Sequence, residues 1–426
     1  MRDTNILHDM LRKNCPHIHA RRLDSLMLAT EALLDSNQLS LTERGRNMKG
    51  PVAAKHNIKR MDRLLGNTAM HNDRLAIYRF HARLTCGANP MPILLVDWAD
   101  VREQLRLMTL RASVSIQGRS MIVYERTFTF AQYNSPKSHQ LFLDELASIL
   151  PDKCIPLIVT DAGYRNTWFR QVDKKGWFWL GRVRGKVTYQ HKNSKDWQVN
   201  QALYPSATPR GRYIGEVKLG RKSPISCHLH LYKAKRKGRT DRRSSKAGRH
   251  HTAQKSYRTG SKEPWLLATN LPVELFQPKR VVSLYAKRMQ IEESFRDLKS
   301  PQYGMGLRHS KSRCPNRLDI LLLLAQRFSR ESDHYSLVDR PVCSAIKLAT
   351  KVSGKYHQRL CCAVDCQAWQ RGQATKRLCY DGEATTLGYT RIRALDTSAW
   401  EASIMRGSPS ALIIGKFWRY RRVAAS

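Results

Sequence analysis

The sequence predicts an α/β protein in which a helical N-terminal part precedes a core built on a sheet, and three observations carry that expectation. Two are apolar runs, Met91-Pro-Ile-Leu-Leu-Val96-Asp97-Trp98 and Ile155-Pro-Leu-Ile-Val-Thr160-Asp161-Ala-Gly163. Both are continuous rather than alternating, as strands covered on two faces are, and both end in a carboxylate, as a strand does on emerging at a sheet edge. The third is a change of period after about residue 75, from helical spacing to strand-length runs.

Taken in order, Leu23 to Leu34 repeats apolar residues at helical spacing, and Ser40-Leu-Thr42-Glu43 has the composition of a helix N-cap. Lys55 to Gly66 reads as a basic helix with an apolar rear face, suited to lying along a DNA backbone or groove. Leu105 to Ile116 and Met121 to Phe128 read as two strands about a Gln117-Gly118 turn, and His139 to Leu150 as an amphipathic helix. Trp177 to Val183 is a further strand, followed by strand-like pieces at Tyr213 to Leu219, Ile225 to Tyr232 and Trp265 to Thr269. Lys233 to Lys262 is so dense in Lys, Arg, Gly and Ser that it cannot build a core and reads as a cationic loop. These signals divide the chain into a helical DNA-binding part at 1–75, the first part of an α/β core at 76–185, a β-rich insertion at 186–272, the second part of the core at 273–326, and a divergent tail at 327–426.

Composition narrows the function classes. The 426 residues suffice for roughly two or three domains. They carry 75 Lys+Arg against 34 Asp+Glu, a formal charge of +41. Self-repulsion of that size destabilises a compact chain unless a polyanion neutralises it, and the basic residues are spread along the sequence as for nucleic acid. A membrane partner is not expected: the longest clean aliphatic run, Ile320 to Ala325, is far too short to span a bilayer. The N-terminus lacks the apolar stretch of a signal peptide, and the ten scattered cysteines read as reduced thiols, so the expected location is the cytoplasm. Cys361, Cys362 and Cys366 lie close together, but no CxxC or paired-His spacing completes a zinc site around them.

The segment Tyr285-Ala-Lys-Arg288-Met-Gln-Ile-Glu292-Glu-Ser-Phe-Arg-Asp-Leu-Lys299 concentrates the chemistry. Tyr285, Arg288, Glu292 and Lys299 stand at offsets 0, 3, 7 and 14, and at about 100° per residue they share one stripe of a helix. A charged solvated helix shows such stripes too. Two carboxylates upstream change the balance. Phosphoryl transfer by two divalent ions needs acids converging on one point, and a hard cation such as Mg²⁺, with Mn²⁺ able to substitute, takes oxygen ligands. Asp97, Asp161 and Glu292 supply that set, and a carboxylate flanked by a phenol, a guanidinium and an ammonium suits phosphodiester chemistry.

These motifs resemble the bacterial insertion-sequence transposases of the DDE superfamily, in the subgroup named for its Tyr-Arg-Glu-Lys signature. The resemblance runs from about Asn5 to about Ala325 and includes Leu94-Leu-Val-Asp97-Trp98, Ile158-Val-Thr-Asp161-Ala-Gly163, Lys262-Glu-Pro-Trp265 and the whole Glu292 segment. It implies an RNase H-like mixed-sheet catalytic core with a β-rich insertion before the glutamate. It also implies Asp97, Asp161 and Glu292 as catalytic metal ligands, and Tyr285, Arg288 and Lys299 as grips on phosphates of the transposon end. Trp265, by itself a core residue of a strand, matches the family's aromatic that stacks on a flipped base, and Met289 matches its wedge position. The implied reaction is strand nicking by water, hairpin formation by the freed 3′-hydroxyl, hairpin opening, and strand transfer into target DNA. The implied partners are double-stranded DNA, as inverted-repeat ends and target, and a second copy of the chain in a synaptic homodimer at the bacterial nucleoid.

The C-terminal part departs from the family. Asp319-Ile-Leu-Leu-Leu-Leu-Ala325 begins an apolar helix that the sequence predicts to break from Gln326, and the remainder carries weak periodicity and half of the cysteines. The competing expectation is therefore a catalytically impaired, DNA-binding transposase remnant with an aberrant tail.

Overall fold

The computed structural model describes residues 2–337, apart from 37, 103–106, 117, 236–262, 301, 303 and 311, together with two strands, Lys376–Tyr380 and Glu383–Leu387. Most of the expected cationic loop and most of the divergent tail lie outside the described residues. Residues 1–335 form one compact unit and residues 336–426 a second. In the second, the two strands pair antiparallel, Lys376 opposite Leu387 and Tyr380 opposite Glu383.

The first unit opens with five helices, α1 (Arg2–Asn14), α2 (Ala20–Ser36), α3 (Leu41–Asn47), α4 (Ala54–Leu65) and α5 (Thr68–Cys86). Ser40 does precede α3 with extended dihedrals, but its side chain makes no cap hydrogen bond, contrary to the sequence expectation. Asn67 caps α5 instead, accepting from the Met70 N–H at 3.0 Å. A Cβ added to Gly45 of α3 would stand 2.7 Å from the Ile58 backbone, so glycine there allows α3 and α4 their close crossing. The expected basic helix is α4: Met61, Leu64 and Leu65 are buried while Lys55, Lys59, Arg60 and Arg63 are exposed.

The sheet holds ten strands: β1 (Ile93–Arg102), β2 (Leu107–Ser115), β3 (Ser120–Thr129), β4 (Leu157–Thr160), β5 (Phe178–Val183), β6 (Thr188–His191), β7 (Gln198–Val199), β8 (Arg212–Leu219), β9 (Ile225–Tyr232) and β10 (Trp265–Thr269). Their spatial order is β3-β2-β1-β4-β5-β10-β9-β8-β6-β7. The strands β1, β4 and β5 run parallel at the centre, and β2 and β3 extend one side antiparallel. The insertion strands continue the other side, because β10 pairs antiparallel with β5 over Leu266–Thr269. Leu94, Leu95, Val96, Leu157, Ile158 and Val159 are fully buried, which is why those strands read as unbroken apolar runs.

Helices cover both faces, since successive strand residues point to opposite sides. Tyr124 of β3 packs on Tyr78 of α5 and on Phe142 of α6 (Pro136–Ile149), and α7 (Asn166–Lys174) links β4 to β5. Its neighbour Glu125 points to the other face and meets Arg111 of β2, which reaches Ser294 of a helix described below. A last helix, α10 (Pro315–Leu337), buries Leu318 and Ile320 to Ala325. It does not break at Gln326: the helical backbone runs on to Leu337, and the buried Gln326 side chain donates to the Ile122 carbonyl at 3.1 Å. Among the described residues no helix is long and apolar enough to cross a membrane.

Candidate active site

The register of the central strands brings two of the carboxylates together. The β1–β4 ladder runs in parallel from Ile93 opposite Leu157 to Val96 opposite Thr160, so the next step sets Asp97 beside Asp161, about 4.8 Å away across the strands. Asp161 follows the last residue of β4 and accepts from the Gly163 N–H at 2.8 Å, fixing the turn that leaves the sheet. Asp97 does not end its strand, as the sequence predicts, because β1 continues to Arg102 paired with β2. Asp97 instead lies where β4 has stopped and β1 has not. Its Oδ1 accepts from the Trp98 N–H at 2.8 Å.

Glu292 comes from the opposite direction. The expected single helix from Tyr285 to Lys299 is two helices, α8 (Pro278–Ala286) and α9 (Met289–Lys299), with a turn at Lys287–Arg288. At the joint the bonds shorten to three residues: the Arg288 N–H donates to the Tyr285 carbonyl at 3.0 Å and the Gln290 N–H to the Lys287 carbonyl at 3.0 Å. This local 3₁₀ tightening leaves the stripe partly intact. Arg288 still reaches Glu292 at 2.6 Å and Asp97 at 3.6 Å, so one guanidinium bridges acids from strand and helix. Tyr285 is buried edge-on against the Trp265 ring, with centroids 5.0 Å apart. Lys299 stands seven residues beyond Glu292, about 10 Å along the axis. Its ammonium lies 5.8 Å from the Phe295 ring. Met289 is half exposed, and its sulfur lies 3.4 Å from an Arg288 nitrogen.

Crowding of these acids shows in Asp97. Burial pushes its pKa up to about 7, the Asp161 charge adds to the rise, and Arg288 and the Trp98 N–H oppose it. Two side chains that sequence reasoning missed respond to the same charges. Tyr164 is fully enclosed, and burial raises its phenol well above normal, with Asp97 and Asp161 contributing. The Tyr133 phenol is also raised, by burial and then by Asp161 and Asp97. Behind them, Trp98 lies edge-on to Tyr133 and Phe128 and donates to Nε2 of the buried His139 at 3.3 Å. Tyr133 and Tyr164 belong to no motif singled out in the sequence, and their closeness to Asp97 and Asp161 is what places them at the candidate site.

The donor set suits a hard divalent cation: all the candidate ligands are carboxylate oxygens, and burial together with the Asp161 charge disfavours an ionised Asp97 that has no cation beside it. Among the described residues, no three ligating side chains yet close around one point, because Arg288 occupies the space between Asp97 and Glu292.

A search of curated proteins returns no match. A family model described as the transposase DDE domain matches residues 89–327, from just before β1 into α10 and over more than half of the chain. That stretch contains the three carboxylates, the ten-stranded mixed sheet and both helices of the signature, and the chain belongs to the family of transposases with a DDE domain.

Proposed function

We propose that the protein is a Mg²⁺-dependent cut-and-paste transposase of the Tyr-Arg-Glu-Lys subgroup. It binds the inverted-repeat ends of an insertion sequence, nicks them, forms and opens a hairpin, and transfers the freed strand to target DNA. The observation that carries this reading is the meeting of Asp97 and Asp161 at adjacent strand positions with Glu292, tied to them through Arg288. The strand order β3-β2-β1-β4-β5, parallel at its centre, supports an RNase H-like core.

Asp97, Asp161 and Glu292 hold the cations, with Glu292 turning away from Arg288 to complete the set. Bound there, a metal pair activates the attacking oxygen and stabilises the leaving one. Arg288 then offers its fork to a DNA phosphate, which competes with the carboxylates for the same two N–H groups. Trp265 is part exposed at the start of β10, positioned by the Tyr285 ring, and stacks on a flipped base while Met289 wedges into the vacated space. Lys299, farther along α9, takes a phosphate outside the cluster. The exposed basic residues of α4 contact the DNA ends, and two copies pair across the synapse.

Incubating the purified full chain with end DNA and Mg²⁺ tests this. Nicking and a hairpin product are expected, with Asp97→Ala and Glu292→Ala lowering cleavage by at least about 1,000-fold while DNA binding persists. Cleavage that survives Asp97→Ala overturns the assignment. Specific binding without any nicking supports the inactive remnant.

A further inference from the structure

We propose that Phe130 and Tyr133 form a stacking platform for an unpaired nucleobase of the DNA strand that enters the carboxylate site, at a place distinct from Trp265. The inference rests on the transposase reading above.

The platform is a short turn between β3 and α6, Phe130–Gln132, fixed at several points. Gln132 Oε1 accepts from both the N–H and the hydroxyl of Thr129 at 3.1 Å. The Ser138 hydroxyl donates to the Gln132 carbonyl at 2.8 Å, and the Ser135 side chain caps α6. Asn134, in the left-handed region at φ 54°, sends its side-chain amide to the Gly163 carbonyl at 3.5 Å, tying the turn to the loop that follows Asp161. On this frame two aromatic rings are part exposed to solvent. Phe130 is 43% and Tyr133 40% exposed, nearly parallel at 17° with centroids 5.9 Å apart.

Three features select the occupant. Tyr133 touches Trp98, the residue after Asp97, and lies within electrostatic reach of both aspartates, so whatever stacks there sits beside the reacting phosphodiester. The chain carries a net charge of +41, which favours a polyanion over a second copy of itself. A base face is apolar and flat, and any of the four bases offers one, but only an unpaired base can leave the helical stack and present it.

The test uses a single strand carrying 2-aminopurine, and the same strand annealed to its complement, with Ca²⁺ replacing Mg²⁺ to prevent cleavage. The full chain is expected to quench the single-strand fluorescence. Phe130→Ala and Tyr133→Ala should each reduce the quench and weaken single-strand binding by about 5- to 150-fold, with duplex affinity retained. Tyr133→Phe should restore wild-type binding, because the ring and not the hydroxyl does the stacking. Alanine variants that leave quench and affinity unchanged, or that lower single-strand and duplex binding alike, overturn the platform. If the unaltered chain cleaves no DNA and binds neither form, the transposase reading fails and the platform falls with it.

Discussion

Asp97 combines burial, two acidic neighbours and one guanidinium, and its behaviour follows from that company. With its pKa pushed up to about 7, the carboxyl is largely protonated in mildly acidic solution, and a cation that binds there must displace the proton. Mg²⁺ affinity should therefore fall as the pH drops below about 7, with proton release on binding. Calorimetric titration in two buffers of different ionisation enthalpy measures both, and a proton-independent affinity would contradict the assignment of Asp97 as a ligand. Asp97 and Asp161 stood out in the sequence as candidates because an acid at the end of an apolar run is a local signal, and Glu292 because it shares a helical stripe with Arg288. The inward pairing of Arg288 was not. Nothing in the spacing of Tyr285, Arg288 and Glu292 says that the guanidinium turns toward a strand about 190 residues earlier.

At the scale of elements, the Glu292 helix is held on the sheet by a polar anchor. Arg111 and Glu125 are both fully buried and pair at 2.7 Å. Arg111 also donates to the Ser294 hydroxyl at 3.0 Å and lies 4.2 Å from the Phe295 ring. Arg111→Met strands a buried carboxylate and should cost about 3–5 kcal/mol in urea unfolding. Pairing it with Glu125→Leu should recover most of that loss, since the charge left behind is removed as well. Equal destabilisation by the single and double variants would show that the loss comes from packing. The strands flanking this anchor were legible from apolar runs to within about two residues. The joint between α8 and α9 was not, because no proline or glycine marks it and the backbone stays in the right-handed helical region through Lys287 and Arg288. The continuation of α10 past Gln326 was equally hidden: polar residues weaken the apolar pattern there without stopping a helix.

The whole molecule responds to pH and to salt. His139 and His230 are buried, and burial lowers both to about 4. Each folded pKa lies below the unfolded value of about 6.5, so the unfolded chain takes up protons first as the solution is acidified. The stability that these two rings contribute is complete above about pH 6.5 and drains between there and about pH 4, by at most about 3 kcal/mol for each ring. The raised carboxyls of Asp97 and Asp319 act in the opposite direction over the same range, so the His230 contribution is read as the difference between the wild-type and His230→Gln melting profiles, and identical slopes would exclude a neutral buried ring. The charge of +41 predicts a second dependence. DNA affinity should fall linearly in a log–log plot against salt, by about 0.9 for each phosphate neutralised, and substituting Lys59 and Arg60 on α4 should flatten the slope. An unchanged slope in that double variant would remove α4 from the interface.

The continuity of the sheet gives these scales a common measure. The insertion could have hung from the core by loops alone, yet β10 is hydrogen-bonded to β5, β5 to β4, and β4 to β1. Three strand spacings, about 14 Å, separate the line of Trp265 from that of Asp97. That span matches about four base-pair steps of DNA. A ladder of backbone hydrogen bonds does not stretch, and a slip of one residue would turn every side chain of β10 to the wrong face. On the function proposed above, the sheet is a ruler of fixed length between Trp265 and the carboxylates, and a base seated at one end determines which phosphate arrives at the other.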